Sequence, residues 1–254
     1  MTWYPVCMVN AANALMDENR YLESTVLNKM ALRFPVEKPE GNILYNIAFA
    51  YNKLGDLINE MRYLKKAAEK KTDITAVYER LGLIYYDLGL LDRALIMFNE
   101  ATKHKSKADY VEKGKAVIEG FTPQERLEIG LIKANEKLIA KDLTIAYEIY
   151  DYLLEKHYKN DIIYMNLGVY YFKTDDFVPA LRYFILSKNE TKSPGVSLYI
   201  AYTQSRLENY EKAIEELAEA IKLYPDDKGL KDLFRAIKES NDNGKSTDSS
   251  NRPR

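Results

Sequence analysis

Residues 45–68 and 79–102 align without a gap when one segment is slid 34 positions along the other. The first reads YNIAFAYNKLGDLINEMRYLKKAA and the second ERLGLIYYDLGLLDRALIMFNEAT, so that Tyr51 falls on Tyr85, Gly55 on Gly89, Leu64 on Phe98 and Ala67 on Ala101. A fixed period of that length means stacked supersecondary units, each too small to bury its own apolar face. It also biases function toward binding, because such arrays present extended surfaces more often than catalytic pockets.

The spacing inside one period explains the unit. Tyr78, Leu81, Gly82 and Tyr85 fall on one stripe of a helix, and Leu91, Ala94, Leu95, Phe98 and Ala101 form a second stripe. Gly89 lies between them, where a helix C-terminus takes a left-handed residue. Gly82 and Ala94 lack bulk, which lets the two helices approach closely. With 11 Gly and 8 Pro in 254 residues, turns are too few for an all-β chain, and 46% apolar residues suffice for a helical core.

The order of a large residue, Leu-Gly, Tyr, Gly, Ala, an aromatic and Ala resembles the tetratricopeptide repeat. The closest copy starts at Tyr164-Met165-Asn166-Leu167-Gly168 and continues through Phe177, Ala180 and Phe184. Another runs from Ser197 through Ala201, Tyr210, Ala213, Leu217 and Ala220 to Leu223-Tyr224-Pro225. Weaker copies cover Gly130 to Leu154 and Met8 to Phe34, the latter with Asn28 in an aromatic slot. The resemblance implies an all-α, right-handed helical-hairpin solenoid over roughly residues 5–225. Another helical-hairpin solenoid of similar period is the alternative.

The phase breaks once. Ala94 to Ala146 and Phe98 to Tyr150 are 52 residues apart, 18 beyond one period. The surplus carries Tyr110, Val111, Gly114, Val117 and Ile118 at helical spacing, which predicts one unpaired helix. Thr122-Pro123-Gln124-Glu125 then restarts the chain as a capping box. The expected organisation is an array over 1–105 (about three hairpins), a linking helix over 106–120, a second array over 121–225 (about three hairpins) and a capping helix over 226–239. Residues 240–254 hold no core-forming side chain, which predicts a disordered tail.

Chemistry is sparse. His104 and His157 sit near helix ends, where the helix dipole favours them, and neither has a second His four residues away for zinc. Asp175-Asp176 and Asp226-Asp227 read as N-caps. No glycine-rich phosphate loop or GxSxG elbow occurs, and the single cysteine, Cys7, allows neither an internal disulfide nor a multi-cysteine zinc site. The expectation is a protein that is not an enzyme and takes no cofactor or metal. A net charge of −1 leaves no electrostatic footprint for nucleic acid; short basic runs at Lys70-Lys71 and Lys103-His104-Lys105 complement helix C-termini instead. No apolar run reaches the about 18 residues that cross a bilayer, and the first sixteen residues do not read as a signal peptide. The cytoplasm is the expected compartment, short of a native leader already removed.

The resemblance implies a concave groove lined by the first helix of each hairpin. By register, its partner-binding residues are Asn46, Phe49, Arg80, Tyr86, Asn166, Phe172 and Tyr202, where rings and amides suit an extended peptide or helix of another protein. The competing reading has each ring packed on the next helix. Some members of the family clamp a terminal carboxylate with two Asn, two Lys and one Arg. Asn13, Asn46 and Arg80 match three of those positions, but Val9 and Ala76 stand where the lysines belong. The expected function is a non-catalytic scaffold or adaptor. The alternatives are an obligate structural subunit using end or convex faces, with room for a homo-oligomer through Trp3, Tyr4 and the 21 tyrosines, and the regulatory subunit of an enzyme complex.

Overall fold

The structure is a computed structural model that describes residues 3–34, 40–70 and 73–249, with side chains over 5–34, 40–70 and 73–242. The described residues form fourteen α-helices and no strand. Six hairpins are present: α1 (Trp3–Asp17) with α2 (Tyr21–Ala31), α3 (Glu40–Lys53) with α4 (Leu57–Glu69), and α5 (Thr75–Asp87) with α6 (Leu91–Lys103). After the unpaired α7 (Asp109–Glu119) come α8 (Pro123–Ile139) with α9 (Leu143–Glu155), α10 (Asn160–Lys173) with α11 (Phe177–Glu190), and α12 (Pro194–Arg206) with α13 (Tyr210–Leu223). The last helix, α14 (Lys228–Ser249), runs beyond residue 239; the end of the tail, 250–254, lies outside the described residues. The chain divides into two compact units, Met1–Tyr152 and Leu153–Arg254.

One turn geometry closes every hairpin. A left-handed residue stands between the paired helices at Asn19, Gly55, Gly89, Lys141, Asp175 and Glu208, with φ from 60° to 72°. The amide following each donates five residues back, from Arg20 to Leu15, Asp56 to Tyr51, Leu90 to Tyr85, Asp142 to Lys137, Asp176 to Tyr171 and Asn209 to Gln204, at 2.8–3.0 Å. This is the six-to-one Schellman closure, and it satisfies carbonyls the helix end would leave unpaired. Asp175 is therefore the left-handed residue of its turn, with its carboxylate 3.3 Å from Arg206; Asp176 holds the N-cap position without a side-chain cap bond. The departure of Asp175 from the N-cap expectation follows from the turn, whereas Asp56, at the position equivalent to Asp176, does accept from the Asn59 amide at 3.0 Å. At the other acidic pair, Asp227 does accept from the Leu230 amide at 2.9 Å. Thr122 and Glu125 form the reciprocal capping box, with Pro123 in the first turn.

In the first unit the Phe98 ring fills the space left by two glycines. A Cβ on Gly82 would stand 2.4 Å from it and a Cβ on Gly114 of α7 2.8 Å. The unpaired helix thus packs on α6 as the first helix of a further hairpin would. The next hairpin then reaches back instead of following on. Arg126 of α8 pairs with Asp92 of α6 at 2.9 Å, and the Tyr152 hydroxyl of α9 donates to the same carboxylate at 2.8 Å. Glu148 of α9 pairs with Lys65 of α4 and Arg93 of α6.

The first hairpin is the irregular one. Ser24, Thr25 and Asn28 of α2 are buried, whereas Leu22, Val26 and Met30 face outward with Phe34 just beyond the helix. In the second unit, Phe184 lies against Gly168 and stacks on Tyr199 at 5.0 Å. Leu230, Leu233 and Ile237 of α14 bury against Ala213, Leu217 and Ala220 of α13. They cover an apolar face that an array's end would otherwise expose. No helix among the described residues is long and apolar enough to cross a membrane.

Candidate functional site

One concavity in the first unit is a cleft of about 230 Å³ between α3 and α5. Stripe residues such as Ile47, Tyr51, Leu81 and Tyr85 are buried between helices, so the opposite faces of α3 and α5 are left to line the space. Tyr45, Phe49 and Asn52 come from α3, and Glu79, Arg80 and Leu83 from α5. Phe49 is 39% exposed there.

A charged pair forms part of the lining. Arg80 donates from Nε to Glu60 Oε1 at 2.5 Å and from Nη2 to Oε2 at 3.1 Å, while Asn52 Nδ2 donates to Oε2 at 3.2 Å. The Glu60 side chain is only 3% exposed, against 39% for Arg80. A buried carboxylate with a forked guanidinium and an amide has its charge and lone pairs largely met.

The second carboxylate is held differently. Glu79 accepts from the Ser106 hydroxyl at 2.5 Å and the Tyr110 hydroxyl at 3.2 Å. Both donors are neutral, and no Lys or Arg pairs with Glu79 among the described residues. Burial raises the Tyr45 phenol above its usual range, with the Glu79 and Glu60 charges adding to it; Tyr110 is raised by burial and by Glu79.

The seven residues expected on the groove divide between the two units. Phe49 and Arg80 share the cleft. Asn46 donates from Nδ2 to Asn13 Oδ1 at 3.1 Å, and Tyr86 is half-buried farther along α5. The carboxylate-clamp set is thereby drawn inward: its two amides bond each other and its arginine bonds Glu60. In the second unit Phe172 packs edge-on against Phe177 at 5.6 Å and Tyr199 at 6.0 Å, so that ring follows the packing alternative. Asn166 is half-buried and Tyr202 is 50% exposed. His104 caps α6 and stacks on Tyr78 at 4.8 Å.

Sequence reasoning missed Glu60 and Tyr110. Glu60 falls 34 residues before Ala94, so a charge on the stacking stripe was the available signal. Tyr110 belongs to α7, outside the period, and no register could place it.

Comparison with known proteins supports the repeat assignment. The tetratricopeptide repeat family model matches residues 41–69, 75–106 and 200–227. Comparison with curated protein sequences finds no match. Among solved structures, the TPR domain of P58(IPK) is 17% identical, with 96% of this chain and 67% of that one covered at a TM-score of 0.44. The TPR2AB domain of yeast Sti1, solved with pHSP90, is 16% identical over 92% of this chain and 98% of that one, at 0.37. Yeast Tom70 is 13% identical over 94% and 73%, at 0.40. The family pattern is matched in three segments and one turn geometry closes all six hairpins, so the chain carries tetratricopeptide repeats at residues 41–69, 75–106 and 200–227.

Proposed function

We propose that this protein is a non-catalytic scaffold or adaptor that holds an extended segment of another protein in the cleft between α3 and α5. The observation that carries the reading is the lining: Phe49 stays open to solvent, and Tyr45, Asn52 and Leu83 flank it on two first helices. Rings give large contact area at small entropic cost, and an amide pairs with either backbone group of a peptide. In the second unit, half-buried Asn166 and exposed Tyr202 offer the same residue types as separate proposed contacts, and Asn46 does so on α3.

A photo-crosslinking residue at Phe49 tests this. The expected product joins the full-length chain to a partner peptide through position 49 and is absent when the crosslinker sits at Ile96, on an exposed face of α6. Equal crosslinking from both positions counts against the cleft.

A second reading, assembly through an end or outer face, is favoured by Leu22, Val26, Met30 and Phe34. An outward apolar row on a helix that buries its polar side marks a surface that gains by being covered. Light scattering over a range of concentrations separates the two: a stable dimer indifferent to Phe49→Ala supports assembly.

A further inference from the structure

The charge of the cleft selects its ligand. Three charged side chains line it, Glu60, Glu79 and Arg80. Arg80 and Glu60 cancel in a forked pair, which leaves the Glu79 carboxylate as the uncompensated charge. A carboxylate has about four acceptor positions, and the Ser106 and Tyr110 hydroxyls use two of them. Those donors fix the group's orientation without neutralising it.

Rings surround that charge. Tyr45 and Phe49 stand on α3, and Tyr110 arrives from α7. A carboxylate beside aromatic faces is a cation-binding combination: the rings attract positive charge through their quadrupoles, and the acid supplies a charge-assisted hydrogen bond. Burial first, and the Glu79 charge after it, raises the phenols of Tyr45 and Tyr110. Lys53 approaches the Phe49 ring at 5.2 Å, but it is exposed, and water and salt screen it.

The volume, about 230 Å³, lies below the roughly 300–1,000 Å³ of pockets for drug-sized molecules and is open to solvent along the cleft. A single side chain of a longer segment suits it. We propose that the cleft takes a lysine or arginine side chain of a partner peptide, held by Glu79 and faced by the rings of Tyr45, Phe49 and Tyr110. This rests on the peptide-binding reading above and adds the charge of the ligand to it. It also gives the unpaired helix a role, because α7 and the segment leading into it supply both hydroxyls that hold Glu79. A carboxylate ligand is disfavoured, since the one arginine in the cleft is committed to Glu60.

The test pans a displayed library of random dodecapeptides on the full-length chain. Selected peptides are then measured by fluorescence anisotropy beside copies with arginine replaced by citrulline and lysine by acetyl-lysine. The expected result is that peptides weakened by Phe49→Ala contain a lysine or arginine whose neutralisation costs about tenfold or more in affinity. Glu79→Gln should cause a similar loss for the charged peptide and little for its neutral copy. Peptides that depend on Phe49 yet bind equally well when neutralised overturn the charge assignment and leave the peptide-binding reading standing. A library with no Phe49-dependent binder overturns both. The neutralised-peptide comparison uses the unaltered chain, so it decides the matter even where Glu79→Gln fails to fold.

Discussion

Arg80 and Glu60 lie on neighbouring helices, and the guanidinium of one forks onto the buried carboxylate of the other at 2.5 and 3.1 Å. The pair turns an arginine of the expected groove into part of its wall. It also makes the two partners unequal, because Glu60 is buried and Arg80 keeps a path to water.

That inequality predicts an asymmetric response. Arg80→Ala strands a buried carboxylate with only Asn52 beside it and should cost about 3 kcal/mol. Glu60→Ala places at this position the residue found one period on, at Ala94, and lets Arg80 turn into solvent; it should cost about 1 kcal/mol. Urea denaturation of both variants measures the difference, and equal losses would contradict the burial argument.

The glycines on the stacking faces should differ from glycines in open space. A Cβ at Gly82 or Gly168 would stand 2.4–2.5 Å from the Phe98 or Phe184 ring, so alanine there should destabilise by about 1–3 kcal/mol despite its better helix propensity. At Gly195, in the first turn of α12, an added Cβ would meet nothing within 4 Å. Gly195→Ala should be neutral or stabilising by up to about 1 kcal/mol. Chemical denaturation reads both signs.

Asn28 is fully buried in α2, and its Oδ1 has no hydrogen-bond partner. Its Nδ2 reaches only Ser24 Oγ, at 3.4 Å. Leucine is close in size and removes the orphaned acceptor, so Asn28→Leu should stabilise the first hairpin by about 1 kcal/mol. Hydrogen exchange of the α2 amides should slow accordingly.

Alkaline pH should loosen the fold. Burial raises the phenols of Tyr45, Tyr78, Tyr85, Tyr110 and Tyr152, and at Tyr152 the hydrogen bond to Asp92 adds to it. An unfolded tyrosine ionises near about pH 10. A group whose folded pKa is raised gives its stability in full below the unfolded value and loses it as pH climbs toward the folded one. Melting temperature should therefore hold below about pH 9 and fall above about pH 10. Tyr152→Phe should reduce the alkaline slope.

Most of the fold was legible because one period fixes it. The hairpins, the unpaired helix and the terminal helix all follow from apolar spacing, and Gly55 and Gly89 signalled their turns. Lys141, Asp175 and Glu208 did not: the Schellman closure puts ordinary residues in the left-handed region, at a cost of about 1 kcal/mol that no composition announces. The cleft was half legible. Register placed Phe49 and Arg80 on it, but the state of Arg80 depends on Glu60, whose burial is a tertiary fact. The return of Arg126, Glu148 and Tyr152 to α4 and α6 likewise depends on where α7 redirects the chain.

The affinity of a library-selected peptide for two single variants of the full-length chain tests the central claim most directly. Phe49→Ala removes a ring from the cleft, and Ile96→Ser alters an exposed face of α6. The account predicts a loss of about tenfold or more for Phe49→Ala and less than about twofold for Ile96→Ser, with both variants folded. Unchanged binding by Phe49→Ala together with a large loss for Ile96→Ser would place the peptide on the other face and contradict it.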